Sequence, residues 1–224
     1  MISSGVFITG TDTGIGKTVI ACHLIKALEE TGLKVAVRKP VESGCSEGEH
    51  GLIAEDATRL AAVSVSMPSI EEVCLYRYKA ETSPQRAAML AGATHTIAQL
   101  ATCCHCEKQF VVVEGAGGLL SPIAADGLNA DLISALGFPA VVVSPDRLGC
   151  INHILLTLEA LAARQLKVIA VVLNRMHPQP DKSELDNACE LSAWVDVPII
   201  QVYKDNINRS VLSKLVGLLG GANP

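Results

Sequence analysis

Apolar residues along this chain fall in short unbroken runs. Between the runs lie longer stretches where apolar positions recur every three or four residues. Val6-Phe7-Ile8, Lys34 to Arg38, Gln109 to Val113, Ala140 to Ser144, Lys167 to Leu173 and Pro198 to Val202 are runs of strand length. Strands that are apolar at consecutive positions are buried on both faces, as in a parallel sheet covered by helices. Helical spacing appears in Val19 to Leu28, from Glu55-Asp56 onward, in Gln85 to Leu90, in Thr94 to His105 and in Asp131 to Leu136. It returns from Asp146 through Ala163, in Ser183 to Trp194 and in Ser210 to Leu219. Thr31-Gly32 is a helix stop, and Pro84 fits a first helical position. Val73 to Tyr78 reads as one more short strand, and the polar, glycine-bearing segment 45–51 as a mobile loop. The alternation predicts an α/β chain with a doubly wound, mainly parallel sheet and helices on both faces. No internal repeat or linker interrupts it, so one domain is expected over residues 1–224.

Composition sharpens this picture in three ways. Residues are 49% hydrophobic but only 3% aromatic, so the core is aliphatic. The net charge of −5, with no basic block, argues against nucleic acid as a partner. No apolar stretch reaches the length of a membrane span, and the N-terminus lacks a basic start before a long apolar run. No membrane partner and a cytoplasmic location are therefore expected. The eight cysteines then read as reduced thiols. Cys22, Cys74, Cys150 and Cys189 sit in apolar or helical stretches as small hydrophobes. Cys103-Cys104-His105-Cys106 has no second ligand pair and reads as a thiol-rich helix end rather than a zinc site.

The chemistry begins at Gly10-Thr11-Asp12-Thr13-Gly14-Ile15-Gly16-Lys17-Thr18, between the first strand and the first helix. Glycines free backbone N–H groups to face an anion, and the helix N-terminus adds its positive end. Lys17 supplies a cation for phosphate and Thr18 a hydroxyl suited to Mg2+. The order strand, glycine turn, Gly-Lys-Thr, helix predicts a P-loop, although its first glycine, Gly10, lies one residue outside the usual pattern. Lys39-Pro40-Val41-Glu42-Ser43-Gly44 ends the second strand, at the edge where open α/β sheets bind ligands. Glu114, closing a buried strand before Gly115-Ala116-Gly117-Gly118, resembles the second metal-holding element of P-loop enzymes. Thr18, Asp56 and Glu114 together offer oxygens to Mg2+. A second lysine, Lys39, at the same edge suggests an anion besides the phosphate chain.

These segments occur in the order found in dethiobiotin synthetases. Gly10 to Thr18, Lys39-Pro40-Val41-x-Ser43-Gly44, Asp56, Thr82-Ser83-Pro84, Val113 to Gly118 and Leu148 to His153 all take part, and the resemblance covers nearly the whole chain. The resemblance implies a homodimeric, ATP- and Mg2+-dependent enzyme that joins CO2 to 7,8-diaminononanoate and closes the cyclic urea of dethiobiotin. It implies a carbamate phosphorylated by ATP, with Lys39 stabilising the carbamate and Lys17 bridging it to the phosphates. By the same resemblance, the loop amides of Gly14, Ile15, Gly16, Lys17, Thr18 and Val19 bind phosphate. Gly115, Ala116 and Gly117 continue the site, and Asn174 with Arg175 reads adenine. Thr13 and Ser43 lie against the diamine. Gly149, Cys150 and Asn152 of the other subunit take its distant carboxylate.

Two departures stand out. Gly14 replaces a Glu common in the family, and Gln201-Val202-Tyr203-Lys204 replaces a Gly-x-Ile-Pro segment near the adenine. The alternative is a dimerising P-loop switch ATPase of the partition or septum-positioning type. Its sign, a second lysine in the loop near Asp12, is absent.

Overall fold

In the computed structural model, which describes residues 4–107, 109–175, 185–203 and 209–220, the six apolar runs become the six strands of one sheet. In chain order, the first half comprises β1 (Gly5–Gly10), α1 (Lys17–Glu30), β2 (Val35–Arg38), β3 (Val41–Ser43), β4 (Ser46–Gly48), β5 (Gly51–Ile53), α2 (Glu55–Val63), α3 (Ile70–Val73), β6 (Tyr76–Tyr78), α4 (Pro84–Leu90) and α5 (Ile97–Cys104). The second half comprises β7 (Phe110–Glu114), β8 (Pro122–Ala124), β9 (Gly127–Leu128), α6 (Asn129–Leu136), β10 (Ala140–Pro145), α7 (Cys150–Ala162), β11 (Val168–Arg175), α8 (Asn187–Ser192), β12 (Ile199–Tyr203) and α9 (Arg209–Gly220).

The main sheet runs β12-β11-β10-β1-β7-β2, and every ladder in it is parallel. Its strands alternate between two apolar layers, except at a register shift in β11, where Ile169 and Ala170 share one layer. Val6, Ile8, Val112, Val141 and Val143 pack with α1, α2 and α9. Phe7, Val111, Val113, Val142 and Val171 pack with α4 to α8. Both faces being covered explains the unbroken apolar runs. β1 lies between β7 and β10, so the chain winds outward from it in both directions. The carboxyl ends of β1, β7 and β10 therefore meet at a topological switch point, where such sheets open a ligand crevice.

The small elements depart from the sequence reading. Segment 45–51 belongs to an antiparallel hairpin of β4 and β5 rather than a loop. The predicted strand Val73 to Tyr78 is split. Ser69 accepts from Glu72 N–H while the Glu72 carboxylate accepts from Ser69 N–H, a capping box that makes α3 before β6 begins. β6 pairs in parallel with β3, which the sequence reading leaves as a strand end. Of the helix expected over Ser183 to Trp194, Asn187–Ser192 is observed, and 183–184 lie outside the described residues.

Candidate active site

The loop between β1 and α1 has an ordered shape for identifiable reasons. Gly16 is left-handed (φ 92°) at the helix N-cap, and Gly14 is likewise at φ 70°. A Cβ on Gly10 would lie 2.5 Å from Ile15 Cδ1 and 3.2 Å from Lys17 Cδ. The outlying glycine is thus where the loop folds back on its own strand. Lys17 Nζ donates to the Asp12 carbonyl at 2.7 Å, closing the turn. Burial and the nearby Lys39 charge lower the Lys17 ammonium to about 8.

Lys39 leaves the end of β2 and is buried at 3% exposure. Its ammonium donates to Glu114 Oε1 at 2.6 Å and to Asp56 Oδ2 at 2.8 Å. Thr18 Oγ1 donates to the same Glu114 oxygen at 2.9 Å. Four residues distant in sequence, from α1, β2, α2 and β7, converge on one point at the sheet edge. Burial alone would lower the Lys39 pKa, but Glu114, Asp56 and Glu42 outweigh it and hold it above the ordinary lysine value. Asp56 shows the mirror image. Burial would raise its carboxyl, but the Lys39 charge holds it below the usual carboxylate range.

Glu114 leads into the glycine turn, which a residue missed by the sequence reading holds in place. Asn129, buried at the start of α6, donates from Nδ2 to the carbonyls of Ala116 (2.8 Å) and Gly118 (3.0 Å) and accepts from Ala116 N–H at 3.2 Å. Gly115 has to be glycine, because a Cβ would come within 2.5 Å of Asn129 Oδ1. On the opposite wall, Ser43 Oγ donates to the Thr82 carbonyl at 2.6 Å and Gly44 N–H to the Ala80 carbonyl at 3.0 Å. A cavity of about 650 Å3 lies between these walls. It gathers Thr13, Gly14, Gly16, Lys17, Thr18, Val19, Lys39, Ser43, Asp56, Glu114, Ala116 and Gly117 of the sequence-derived site.

Other expected residues lie outside that cavity. Ile15 is buried behind the loop, and its carbonyl accepts from Asn174 Nδ2 at 2.8 Å. Asn174 thereby ties the end of β11 to the P-loop. Arg175 pairs through Nε and Nη2 with buried Asp146, whose other oxygen accepts from Asn187 at 2.7 Å. The guanidinium also lies 5.1 Å from the Tyr203 ring centre, a cation–π distance. Lys204 is outside the described residues. Gly149 is the left-handed N-cap of α7, where Asn152 is exposed. Cys150 is buried there, with its N–H given to the Arg147 carbonyl.

The donor set suits a hard divalent cation, because Thr18, Asp56 and Glu114 present only oxygens. Glu114 Oε2 is buried and has no hydrogen-bond partner, so its lone pairs are available. No group of three or more His, Cys, Asp or Glu able to hold a metal exists among the described residues. Two carboxylates and a hydroxyl leave the remaining positions to phosphate oxygens and water, as Mg2+ beside a nucleotide prefers. Among the described residues no helix is long and apolar enough to cross a membrane.

Comparison with known proteins gives a consistent picture. A family described as "AAA domain" matches residues 4–207. The ATP-dependent dethiobiotin synthetase BioD of Vesicomyosocius okutanii subsp. Calyptogena okutanii (strain HA) is 42% identical over 206 residues, 92% of this chain and 92% of the relative. The protein of the same name from Ruthia magnifica subsp. Calyptogena magnifica is 40% identical over 216 residues, covering 96% and 98%. Among solved structures, the MinC:MinD cell division protein complex of Aquifex aeolicus aligns with TM-score 0.59 at 11% identity, covering 99% of this chain and 98% of that one. A ParA family ATPase from Chlorobium tepidum TLS aligns with TM-score 0.51 at 14% identity, covering 99% and 93%. These last two share the P-loop NTPase-like fold.

Proposed function

The chain belongs to the family of ATP-dependent dethiobiotin synthetases, and from that premise we propose how its residues carry out ATP-dependent dethiobiotin synthesis, the cyclo-ligase step of biotin biosynthesis. The substrates are ATP, CO2 and 7,8-diaminononanoate, and the products are dethiobiotin, ADP and phosphate. One amine adds to CO2, releasing a proton and leaving a carbamate. A carbamate oxygen displaces ADP from the γ-phosphorus, giving a carbamic–phosphoric mixed anhydride. The second amine then attacks the carbonyl carbon and expels phosphate, closing the urea ring.

The observation that carries this reading is the pair of buried lysines at one cavity. A P-loop nucleotide needs Lys17. Lys39, held at the same edge by Glu114 and Asp56, is the cation for a second anion. Lys39 would stabilise the charge that builds on the carbamate during phosphoryl transfer, and Lys17 would bridge it to the phosphate. The amides of Gly14 to Val19 would hold the phosphates, with Ala116 and Gly117 on the facing wall and Gly115 buried behind them. Thr18, Asp56 and Glu114 would hold Mg2+, which supplies charge neutralisation to the transferring phosphoryl group. Thr13 and Ser43 would contact the diamine. Asn174 and Arg175 would face the nucleobase. A homodimer in the cytoplasm, acting as one domain per chain, completes the reading. Gly149 and Asn152 at the start of the partner's α7 would meet the distant carboxylate through first-turn N–H groups, with Cys150 between them holding the turn through its own N–H.

The test is phosphate release from ATP and Mg2+, with and without the diamine and bicarbonate, recording product mass. Release that needs both additions and yields the mass of dethiobiotin is expected. Release indifferent to the diamine overturns the reading in favour of a switch ATPase.

A further inference from the structure

The first turn of α2 carries Asp56 but has no cap of its own. Its N-cap residue is Ala54, whose side chain accepts no hydrogen bond. The N–H groups of Asp56 and Ala57 occupy the positions that an N-cap side chain normally satisfies. Both are instead satisfied from another element. Glu42, on β3, accepts from Asp56 N–H through Oε1 at 3.0 Å and from Ala57 N–H through Oε2 at 3.0 Å. Glu42 is itself buried. A carboxylate on two N–H groups at a helix N-terminus combines charge-assisted hydrogen bonds with a favourable dipole interaction.

The geometry has a second half. Lys39 lies three residues before Glu42 and reaches Asp56 Oδ2 at 2.8 Å. The short segment from Lys39 to Glu42 thus grips Asp56 twice, by its backbone and by its carboxylate. Only the backbone grip is independent of what the carboxylate binds. If Lys39 turns to a substrate anion and Asp56 to a cation, Glu42 still fixes where α2 begins.

We propose that Glu42 is a positioning residue for Mg2+ binding, clamping the α2 N-terminus so that Asp56 is presented to the metal beside Thr18 and Glu114. The inference rests on the reading of Asp56 as a metal ligand. It adds that the metal site is set from β3 by a residue of the cavity wall whose two carboxylate oxygens are engaged by the backbone of α2.

The test uses the full chain and two readouts that need no turnover. The first is calorimetric binding of ADP as a function of free Mg2+, and the second is amide hydrogen exchange at Asp56 and Ala57. In Glu42→Ala, exchange at these two amides should accelerate at least about tenfold, and the Mg2+ midpoint should rise by about tenfold, the scale seen when a partner that orients a metal ligand is lost. ADP binding without Mg2+ should stay within about twofold of wild type, since the P-loop is untouched. Glu42→Gln keeps one acceptor but turns its amide donor toward an N–H, so it should fall between wild type and Ala. It carries the same measurement if the Ala variant does not fold. Asp56→Asn is the control, expected to raise the Mg2+ midpoint while leaving amide exchange slow. A midpoint that moves in Asp56→Asn but not in the Glu42 variants overturns the inference. So does unchanged exchange at Asp56 and Ala57 in Glu42→Ala. A midpoint that moves in none of the variants overturns the metal role of Asp56 itself.

Discussion

Replacing Lys39 by Gln tests the buried cluster as both a structural and a chemical unit. The Lys39 and Glu114 side chains are 4% and 1% exposed, whereas Asp56 is 35% exposed. Breaking a fully buried pair from one side costs about 3–5 kcal/mol, because the other charge stays behind uncompensated. The more exposed Asp56 contact adds at most about 1 kcal/mol after solvent screening. A glutamine amide donating to Glu114 would recover about 1 kcal/mol. The net expectation is a loss of about 3 kcal/mol, which for a chain of this size lowers Tm by roughly 6–12 °C.

The pH dependence follows from the two pKa directions. Lys39 is held above its ordinary value, so its contribution is complete below about pH 10.4 and is lost only as pH rises through the higher folded value. Asp56 is held below its ordinary value, so its contribution is present above about pH 3.9 and is lost as pH falls through the lowered folded value. The deficit is therefore present in full at neutral pH. Because the Lys39–Glu114 pair is buried, 1 M salt should leave it nearly unchanged. Urea unfolding at pH 7, at low and high salt, measures it. The same protein should lose turnover while retaining ADP binding. A deficit under about 1 kcal/mol, or one abolished by salt, would refute the energetic reasoning. Near-wild-type turnover would refute the role assigned to the ammonium.

Lys17 makes a prediction of opposite sign. Its ammonium is lowered to about 8, chiefly by burial, so the folded apo protein disfavours that charge and gains stability as pH rises from about 8 toward 10.4. Phosphate should reverse this, so ADP binding near pH 9 should take up most of a proton and show a calorimetric enthalpy that varies with buffer ionisation heat. Identical enthalpies across buffers at that pH would contradict it. Asn129→Ala should cost about 1–2 kcal/mol in urea unfolding, because it takes the side-chain donor from the half-buried Ala116 carbonyl and leaves the Gly118 carbonyl with Ser121 N–H alone. A loss below about 0.5 kcal/mol would mean that the glycine turn holds its shape without Asn129.

The sequence disclosed what is encoded locally. The six sheet strands were legible because each is an unbroken apolar run, and the P-loop because Gly16-Lys17-Thr18 sits between a strand and a helix. The pairs β3–β6, β4–β5 and β8–β9 were not legible. They consist of two- or three-residue pieces containing charged or turn residues such as Glu47 and Arg77, and of these only β6 falls within a stretch that reads as a strand. The α3 capping box, Ser69 with Glu72, was a local signal that the reading passed over. Glu42 and Asn129 illustrate a harder limit. Each acts by satisfying the backbone of a segment many residues away, and nothing in its own neighbourhood marks it.

The position of β1 also constrains how the chain is made. β1 is synthesised well before its two ladder partners, β7 and β10, which end at Glu114 and Pro145. On a ribosome adding 5–20 residues per second, an apolar strand and its phosphate loop would wait on the order of ten seconds for neighbours. Helix α1 can form early, but the site cannot, because Thr18 meets Glu114 only across that delay. The nascent N-terminal third therefore exposes a strand with two open edges, the form most prone to pairing with other chains. Chaperone occupancy and aggregation of this protein should be decided there, before residue 145 has emerged, rather than by the stability of the finished fold.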